Sequence, residues 1–421
     1  MKLMKLKQIY FALILLNPYT INGQELDSFP QAAPAHLNYA QQDVIYSKIL
    51  SENRKINIYL PDNYEKSSEQ LTYPVLVLLE DEFFYMVSGV VKHLSSVERM
   101  PETIVVSILD MTYIPTVYTN GSTFWPSAQL SDENPDPFTR HLKEELFPYL
   151  KTNYRANDFR MIMGLSSTAI YAFHTFVKEP ELFNAHIAIA AGDILGMGYV
   201  EGENFISSIS NEVERSRGKI RYLYVTSADS DGHNYPEIEK NLLELERTLR
   251  PLHGEEFKFI SRIFPNEGHY DVALPAFLEA LTLIFPTEDW SPRYRDIVNE
   301  PGNALKNIDR YYQQLSIKYG FEILPRAERW NSVNRLSWIG PYLIRQGRIT
   351  EGIEIIERWA EYCPKSTLAL SELAKAYEAN GELRKALAAM TRAYNLAKEL
   401  NQDMKPYGDQ LEKLNSQIND K

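Results

Sequence analysis

The sequence predicts an α/β protein: a mostly parallel, doubly wound sheet over residues 24–290, then an all-helical segment over residues 291–421. Three observations predict it. Short, continuously apolar runs such as residues 73–79 alternate with helix-length amphipathic stretches, as strands covered on both faces by helices do. From about residue 291 the strand signals stop. Within that last segment Gly347 and Gly381 stand 34 residues apart, a period of paired helices.

The elements follow in order. Residues 1–23 read as an export signal, with Lys2, Lys5 and Lys7 ahead of an apolar run over 9–16 too short to span a bilayer. The cleavage site after Gly23 is a poor small-x-small match, and no cysteine follows to carry a lipid anchor. No membrane anchor is therefore expected after cleavage, and the chain reads as periplasmic or extracellular. Residues 24–38 are a loose leader. Residues 44–50 and 55–60 suit an antiparallel edge hairpin turned at 51–53. Residues 73–79 form a central strand, 83–95 a helix and 103–109 the next buried strand. Residues 110–134, rich in aromatics and turn formers, read as a substrate-side loop. Residues 138–153 are helical, with Leu142, Leu146 and Leu150 at spacings of four. Strands over 160–164, 183–190, 220–227 and 257–264 alternate with helices over 169–178, 236–249 and 272–285.

Composition limits the function. A 421-residue chain suits a large catalytic domain with a smaller one, and 44% hydrophobic residues can fill both cores. A net charge of −12 argues against a nucleic-acid partner. The single cysteine, Cys363, excludes an intrachain disulfide and a Cys-rich zinc site, and reads as a small buried hydrophobe. The acidic triplet Glu80-Asp81-Glu82 reads as a solvated loop cap rather than a metal site. No cofactor is expected.

Catalytic chemistry centres on residues 160–168. An apolar strand is broken by Gly164-Leu165-Ser166 and followed by a helix: the strand, sharp turn and helix of a nucleophile elbow. Serine is a weak nucleophile and needs a base, itself oriented by an acid. In α/β-hydrolases these follow in the order Ser, Asp/Glu, His, each past the carboxyl end of a strand. Ser166, Asp229 and His269 satisfy both conditions. Asp231 is a rival acid, two residues further along; Asp229 is preferred because it lies nearer the strand end. His233 is a rival base but shares a loop with Asp229. His174 and His186 read as packing residues, and His36, His93, His141 and His253 as surface ones. The oxyanion hole would use the backbone N–H of Ser167 and one from the loop near Asp81 or Glu82. Thr168 stands where the elbow pattern has a second glycine, and its Cβ is expected to crowd the helix against the strand.

Residues 47–82 (Ser-Lys-Ile-Leu … Ile-Tyr-Leu-Pro-Asp-Asn-Tyr-Glu … Tyr-Pro-Val-Leu-Val-Leu-Leu-Glu-Asp-Glu) resemble the start of the putative-esterase family that includes esterase D and the enterochelin esterases. Pro180-Glu181-Leu182-Phe183 and Phe264-Pro265 with His269 match it too. The resemblance implies carboxylic-ester hydrolysis, with Ser166 as nucleophile, His269 as base and Asp229 as acid. The chain departs from the family at Thr168-Ala169, where the Gly-x-Ser-x-Gly-Gly pattern has Gly-Gly, and at Glu80-Asp81, where Asp-Gly is usual. Residues 303–322 followed by tetratricopeptide-like repeats resemble an exported bacterial subgroup. In those repeats Gly340, Leu343, Gly347, Gly352 and Pro364 sit at the motif's offsets, as do Ala374, Tyr377, Gly381, Ala386 and Ala393 in the next.

The expectation is an exported serine esterase acting on a small-molecule ester, its helical segment packed on the hydrolase or engaging a protein partner or second subunit. Two other readings use the same residues. One is a hydrolase-fold binding or scaffold protein working through its repeats; the other is an acyltransferase or peptidase on the same triad.

Overall fold

The computed structural model describes residues 39–65, 67–109, 137–199, 202–216, 220–328 and 333–419. The expected signal over 1–23, the leader over 24–38 and the loop expected over 110–134 lie outside them. Ala40–Lys421 forms one compact unit, so the helical segment is packed on the sheet domain.

Among the described residues eight strands make one sheet: β1 (Gln41–Ser47), β2 (Glu52–Tyr59), β3 (Tyr73–Leu78), β4 (Ile104–Ile108), β5 (Ala156–Leu165), β6 (Ala185–Ile189), β7 (Arg221–Ala228) and β8 (Phe257–Phe264). Their order is β1-β2-β4-β3-β5-β6-β7-β8. β1 and β2 are the expected antiparallel edge hairpin, and β2 lies antiparallel to β4. Every pairing from β4 to β8 is parallel. β3, β4, β6 and β7 are buried at every position, as central strands covered on both faces are.

The chain leaves β3 in one direction to β4, then returns past β3 to β5 and continues to β8. Right-handed crossovers running in opposite directions place their helices on opposite faces. The Ala169–Lys178, Phe205–Arg215 and Glu237–Leu249 helices cover one face through Ile170, Phe173, Ile209, Leu242 and Leu245. The Phe84–Ser96 and Ala273–Ile284 helices meet on the other. The reversal between β3 and β5 opens a crevice at their carboxyl ends, where open α/β sheets place their ligands.

The expected helices form within one or two residues of their predicted bounds. The helix over 138–153 runs as Pro137–His141, a wide turn at Leu142–Leu146 and Phe147–Tyr154. His141, expected at the surface, is buried there and meets the Glu145 carboxylate at 2.7 Å. His174 donates to or accepts from the Tyr199 hydroxyl at 3.0 Å, and His186 packs between the Phe176 and Phe183 rings. Burial, with the nearby Arg221 charge, keeps His186 neutral well below the ordinary histidine range. Cys363 is buried.

The C-terminal helices pair as the spacing predicts: Leu336–Arg345 with Ile349–Tyr362, and Thr367–Ala379 with Leu383–Glu399. Gly347 and Gly381 both take φ +79° and end the first helix of each pair. Gly340 and Gly352 let the first pair cross closely, since a Cβ on Gly352 would lie 2.8 Å from the Gly340 carbonyl oxygen.

This segment is tied to the amino ends of the strands. Buried Glu98, just before β4, meets Arg335 Nε at 2.7 Å, and the Arg326 guanidinium donates to the Glu98 carbonyl at 2.9 Å. Phe321 packs on Phe159 near the start of β5, and the Tyr362 carbonyl accepts from Ser68 N–H ahead of β3. The carboxyl ends, where the chemistry is expected, are left clear of these ties.

Candidate active site

β5 ends at Leu165 and a single tight turn over Ser166–Thr168 leads into the Ala169–Lys178 helix. Ser166 has φ +52°. A non-glycine residue in that region is strained, and such strain recurs where a side chain must be held out from a turn. The helix backbone folds back directly over Gly164: a Cβ there would lie 2.6 Å from the Thr168 carbonyl oxygen and 2.8 Å from Ala169 N. Glycine is therefore required at position 164.

Thr168 does not crowd the turn as expected. Its side chain is buried and curls back on the turn: Oγ1 accepts from Leu165 N–H at 2.9 Å and lies 3.0 Å from the Leu165 carbonyl. A hydroxyl can accept and donate at once, so threonine ties the elbow shut where the usual glycine would leave it to backbone geometry alone.

His269 lies in the loop between β8 and the Ala273–Ile284 helix. Its Nδ1 is 2.8 Å from Asp231 Oδ1, the geometry of an N–H donated to a carboxylate. The structure thus corrects the expected partner of His269: the carboxylate bonded to it is that of Asp231, not Asp229. The reason is a helix not foreseen at residues 229–234. Residues two apart on a helix point about 200° away from each other, so Asp229 and Asp231 cannot face the same imidazole. Asp231 turns inward, its second oxygen accepting from Ala228 N–H at 3.3 Å. Asp229 turns to the histidine loop's backbone, accepting from Asn266 N–H at 2.7 Å and Glu267 N–H at 3.3 Å. Those amide bonds, the Asn266 one first, hold its carboxyl below the usual aspartate range. His233 lies exposed on the same short helix as Asp229.

Asp81–Phe83 forms one short turn at the carboxyl end of β3, across the crevice from Ser166. Asp81 and Glu82 are exposed there. Ser167 is the second residue of the turn over Ser166–Thr168, where first-turn backbone N–H groups lack intrahelical partners. Glu80 differs from its neighbours: it is half-buried against Thr168 rather than capping a solvated loop. Burial raises its carboxyl above the usual range, the Thr168 hydrogen bond opposes that, and the Glu82 and Asp81 charges add to it.

Sequence reading missed an aromatic pair at the rim. The Phe83 ring, next to the expected oxyanion turn, lies 6.4 Å from that of Tyr270, which stands edge-on to His269 at 4.8 Å. Tyr270 is 63% exposed, far more than a packing role would leave it. Adjacency to His269 was its only sequence signal. Among the described residues no group of three or more His, Cys, Asp or Glu side chains could hold a metal ion.

Residues 47–194 match the family model described as putative esterase. No curated protein matches the chain. Among solved structures, an IroE-like serine hydrolase from Shewanella oneidensis superposes with a TM-score of 0.56 at 19% identity, over 76% of this chain and 98% of that one. An uncharacterised protein from Capnocytophaga ochracea gives 0.50 at 16% identity, over 90% of this chain and 99% of that one. At such identity the likeness is one of fold, and the second extends it across the helical segment.

Proposed function

We propose that this chain, whose residues 47–194 match the putative esterase model, is a carboxylic ester hydrolase that works by acyl transfer from Ser166 to water. His269 is the base and Asp231 the acid that orients it. Two observations support this reading: the 2.8 Å bond between His269 and Asp231, and the strained φ of Ser166 at the tip of the elbow.

The Asp231 bond holds the proton on His269 Nδ1, so Nε2 is free to accept one. As Ser166 Oγ bonds to the ester carbonyl carbon, its proton passes to Nε2 and the carbonyl electron pair moves onto oxygen. Backbone N–H groups of Ser167 and of the turn at Asp81 or Glu82 are the proposed donors to that oxygen. The imidazolium then protonates the leaving alkoxide. A water activated by the same imidazole hydrolyses the acyl-enzyme and restores Ser166.

Export and partnership belong to the same proposal. Residues 1–23 would direct the chain to a periplasm or exterior. The 34-residue helical pairs are read as tetratricopeptide-like and as a surface for a protein partner or second copy, tied to the amino ends of the strands, opposite the carboxyl end that leads to Ser166. The test is active-site labelling. A fluorophosphonate should modify Ser166, located by peptide mass, and labelling should rise with pH as imidazole loses its proton. A folded protein that the probe does not mark would favour the scaffold reading.

A further inference from the structure

We propose that Arg326, in the helical segment, is a positioning residue for the catalytic loops: it ties together the far ends of the two helices that carry the oxyanion turn and the His269 loop. This rests on the ester-hydrolase reading given above. Neither the elbow pattern nor the order of the triad points to a residue of the helical segment.

The Phe84–Ser96 helix begins directly after the Asp81–Phe83 turn, and the Ala273–Ile284 helix begins shortly after His269 and Tyr270. The two helices meet on one face of the sheet. The first joins two parallel strands, β3 and β4, so it must return from the crevice to the amino ends of the strands. The second makes the same descent: Phe285, just past its end, packs on Phe159 near the start of β5 at 6.1 Å. Each helix is therefore a rod about 20 Å long with a catalytic loop at its amino end. Those loops touch at the crevice, where the Phe83 and Tyr270 rings lie 6.4 Å apart and Tyr270 stands against His269 at 4.8 Å.

One guanidinium nitrogen joins the far ends. Arg326 Nη2 donates to the Glu98 carbonyl, just past the first helix, at 2.9 Å. It also donates to the Trp290 carbonyl, at the close of the short Thr287–Trp290 helix after the second, at 3.1 Å. Arg326 Nη1 lies 3.4 Å from the Glu98 carboxylate as well. Glu98 has φ +67°, uncommon for a residue other than glycine, and these bonds hold it there. A second tie runs to the other helix: the Tyr319 O–H is shared between the Ile284 carbonyl at 3.1 Å and the Asp289 carboxylate at 3.0 Å. Arg326 is itself fixed. Its N–H donates to the buried Tyr294 hydroxyl at 3.0 Å, its carbonyl accepts from Leu336 N–H at 2.9 Å, and the Tyr294 hydroxyl donates to Tyr312 at 2.9 Å.

An α-helix keeps its length because its backbone hydrogen bonds set the rise per residue. Rigid elements of this kind carry displacement from one end to the other. A catalytic group moved by 1 Å loses about 10²-fold in rate. Both helices are also packed on the sheet, so losing the Arg326 tie should move the loops by only part of that.

The experiment compares full-length wild type with Arg326→Met, Tyr319→Phe and Tyr377→Phe. Methionine matches the length of the arginine stem and has no N–H. Glu98 keeps Arg335 at 2.7 Å in that variant, which favours a retained fold. Tyr377→Phe is the control, since its hydroxyl bonds Glu357 within the helical segment and reaches neither helix. Ser166 labelling is timed over a range of fluorophosphonate concentrations. Hydrogen exchange is followed by mass in peptides over 80–88 and 268–275, where Val272 and Ala273 N–H donate to the Gly268 and Tyr270 carbonyls. In Arg326→Met the maximal labelling rate should fall about tenfold at an unchanged half-saturating concentration. Exchange should quicken in both loop peptides and stay unchanged in β6. Tyr319→Phe should act in the same direction more weakly, and Tyr377→Phe should change neither reading. Labelling within twofold of wild type in a folded Arg326→Met, or equal slowing in Tyr377→Phe, would overturn the proposal. If Arg326→Met does not fold, Tyr319→Phe decides, and wild-type labelling and exchange in it would overturn the proposal. A wild type that resists labelling would refute the ester-hydrolase reading instead, and loop exchange would still decide whether Arg326 holds the loops.

Discussion

Gly164→Ala probes the elbow without touching a reacting atom. The added Cβ would meet three backbone atoms at once: Thr168 O at 2.6 Å, Thr168 C at 2.7 Å and Ala169 N at 2.8 Å. Ordinary contact begins at 3.4 Å, and backbone cannot swing aside as a side chain can. The turn must open by roughly 0.8 Å, close to the 1 Å displacement that costs a catalytic group about 10²-fold. Overpacking of this kind destabilises by about 1–3 kcal/mol, which a unit of this size survives. Fluorophosphonate labelling of Ser166, timed by intact mass alongside a thermal melt, should show a folded protein labelled about 10² times more slowly. Labelling within twofold of wild type would refute the reasoning, because Ser166 would then not depend on the tight turn.

Other outcomes follow from the same structure. Thr168→Gly, which restores the usual elbow residue, should slow labelling rather than speed it, since it removes the hydroxyl bonded to Leu165. Leaving that buried N–H unpaired costs about 1–3 kcal/mol, readable by urea titration. Burial alone would raise Glu145, but hydrogen bonds from His141, Ser47 and the Ile49 and Lys48 amides lower its carboxyl to about 2. Its stabilisation is thus present above the unfolded glutamate value and lost as pH falls towards 2. Glu145→Gln should lower the melting temperature at pH 7, and the gap should close in acid. Arg335→Ala leaves Glu98 buried without its closest cation and should cost about 3–5 kcal/mol in urea unfolding.

Much of this was legible in the sequence because strands buried on both faces must be continuously apolar. Residues 73–79 form such a strand to within one residue, whereas 257–264 form the edge strand β8 over their full predicted length, with Phe257 and Phe259 buried and Lys258, Ser261 and Arg262 less so. The paired helices were legible for the same reason: Gly347 and Gly381 mark equivalent left-handed caps. The elbow was legible because Gly164 has no alternative. The acid was not, because strand-end proximity ignores the direction in which a side chain points. Residues 229–234, rich in turn formers, fold as a helix, and helical phase gives His269 to Asp231. The Phe205–Arg215 helix was not foreseen, although Asn204 caps it by accepting from Ser207 N–H at 2.8 Å. The Thr168 role depends on a rotamer, which sequence does not record.

The central claim is that Ser166 carries ester hydrolysis. A panel of chromogenic acyl esters, run with wild type and Ser166→Ala side by side, tests it most directly. The account predicts turnover of at least one ester by wild type and its loss in the variant, with the melting temperature preserved. Equal turnover by the two proteins would contradict it.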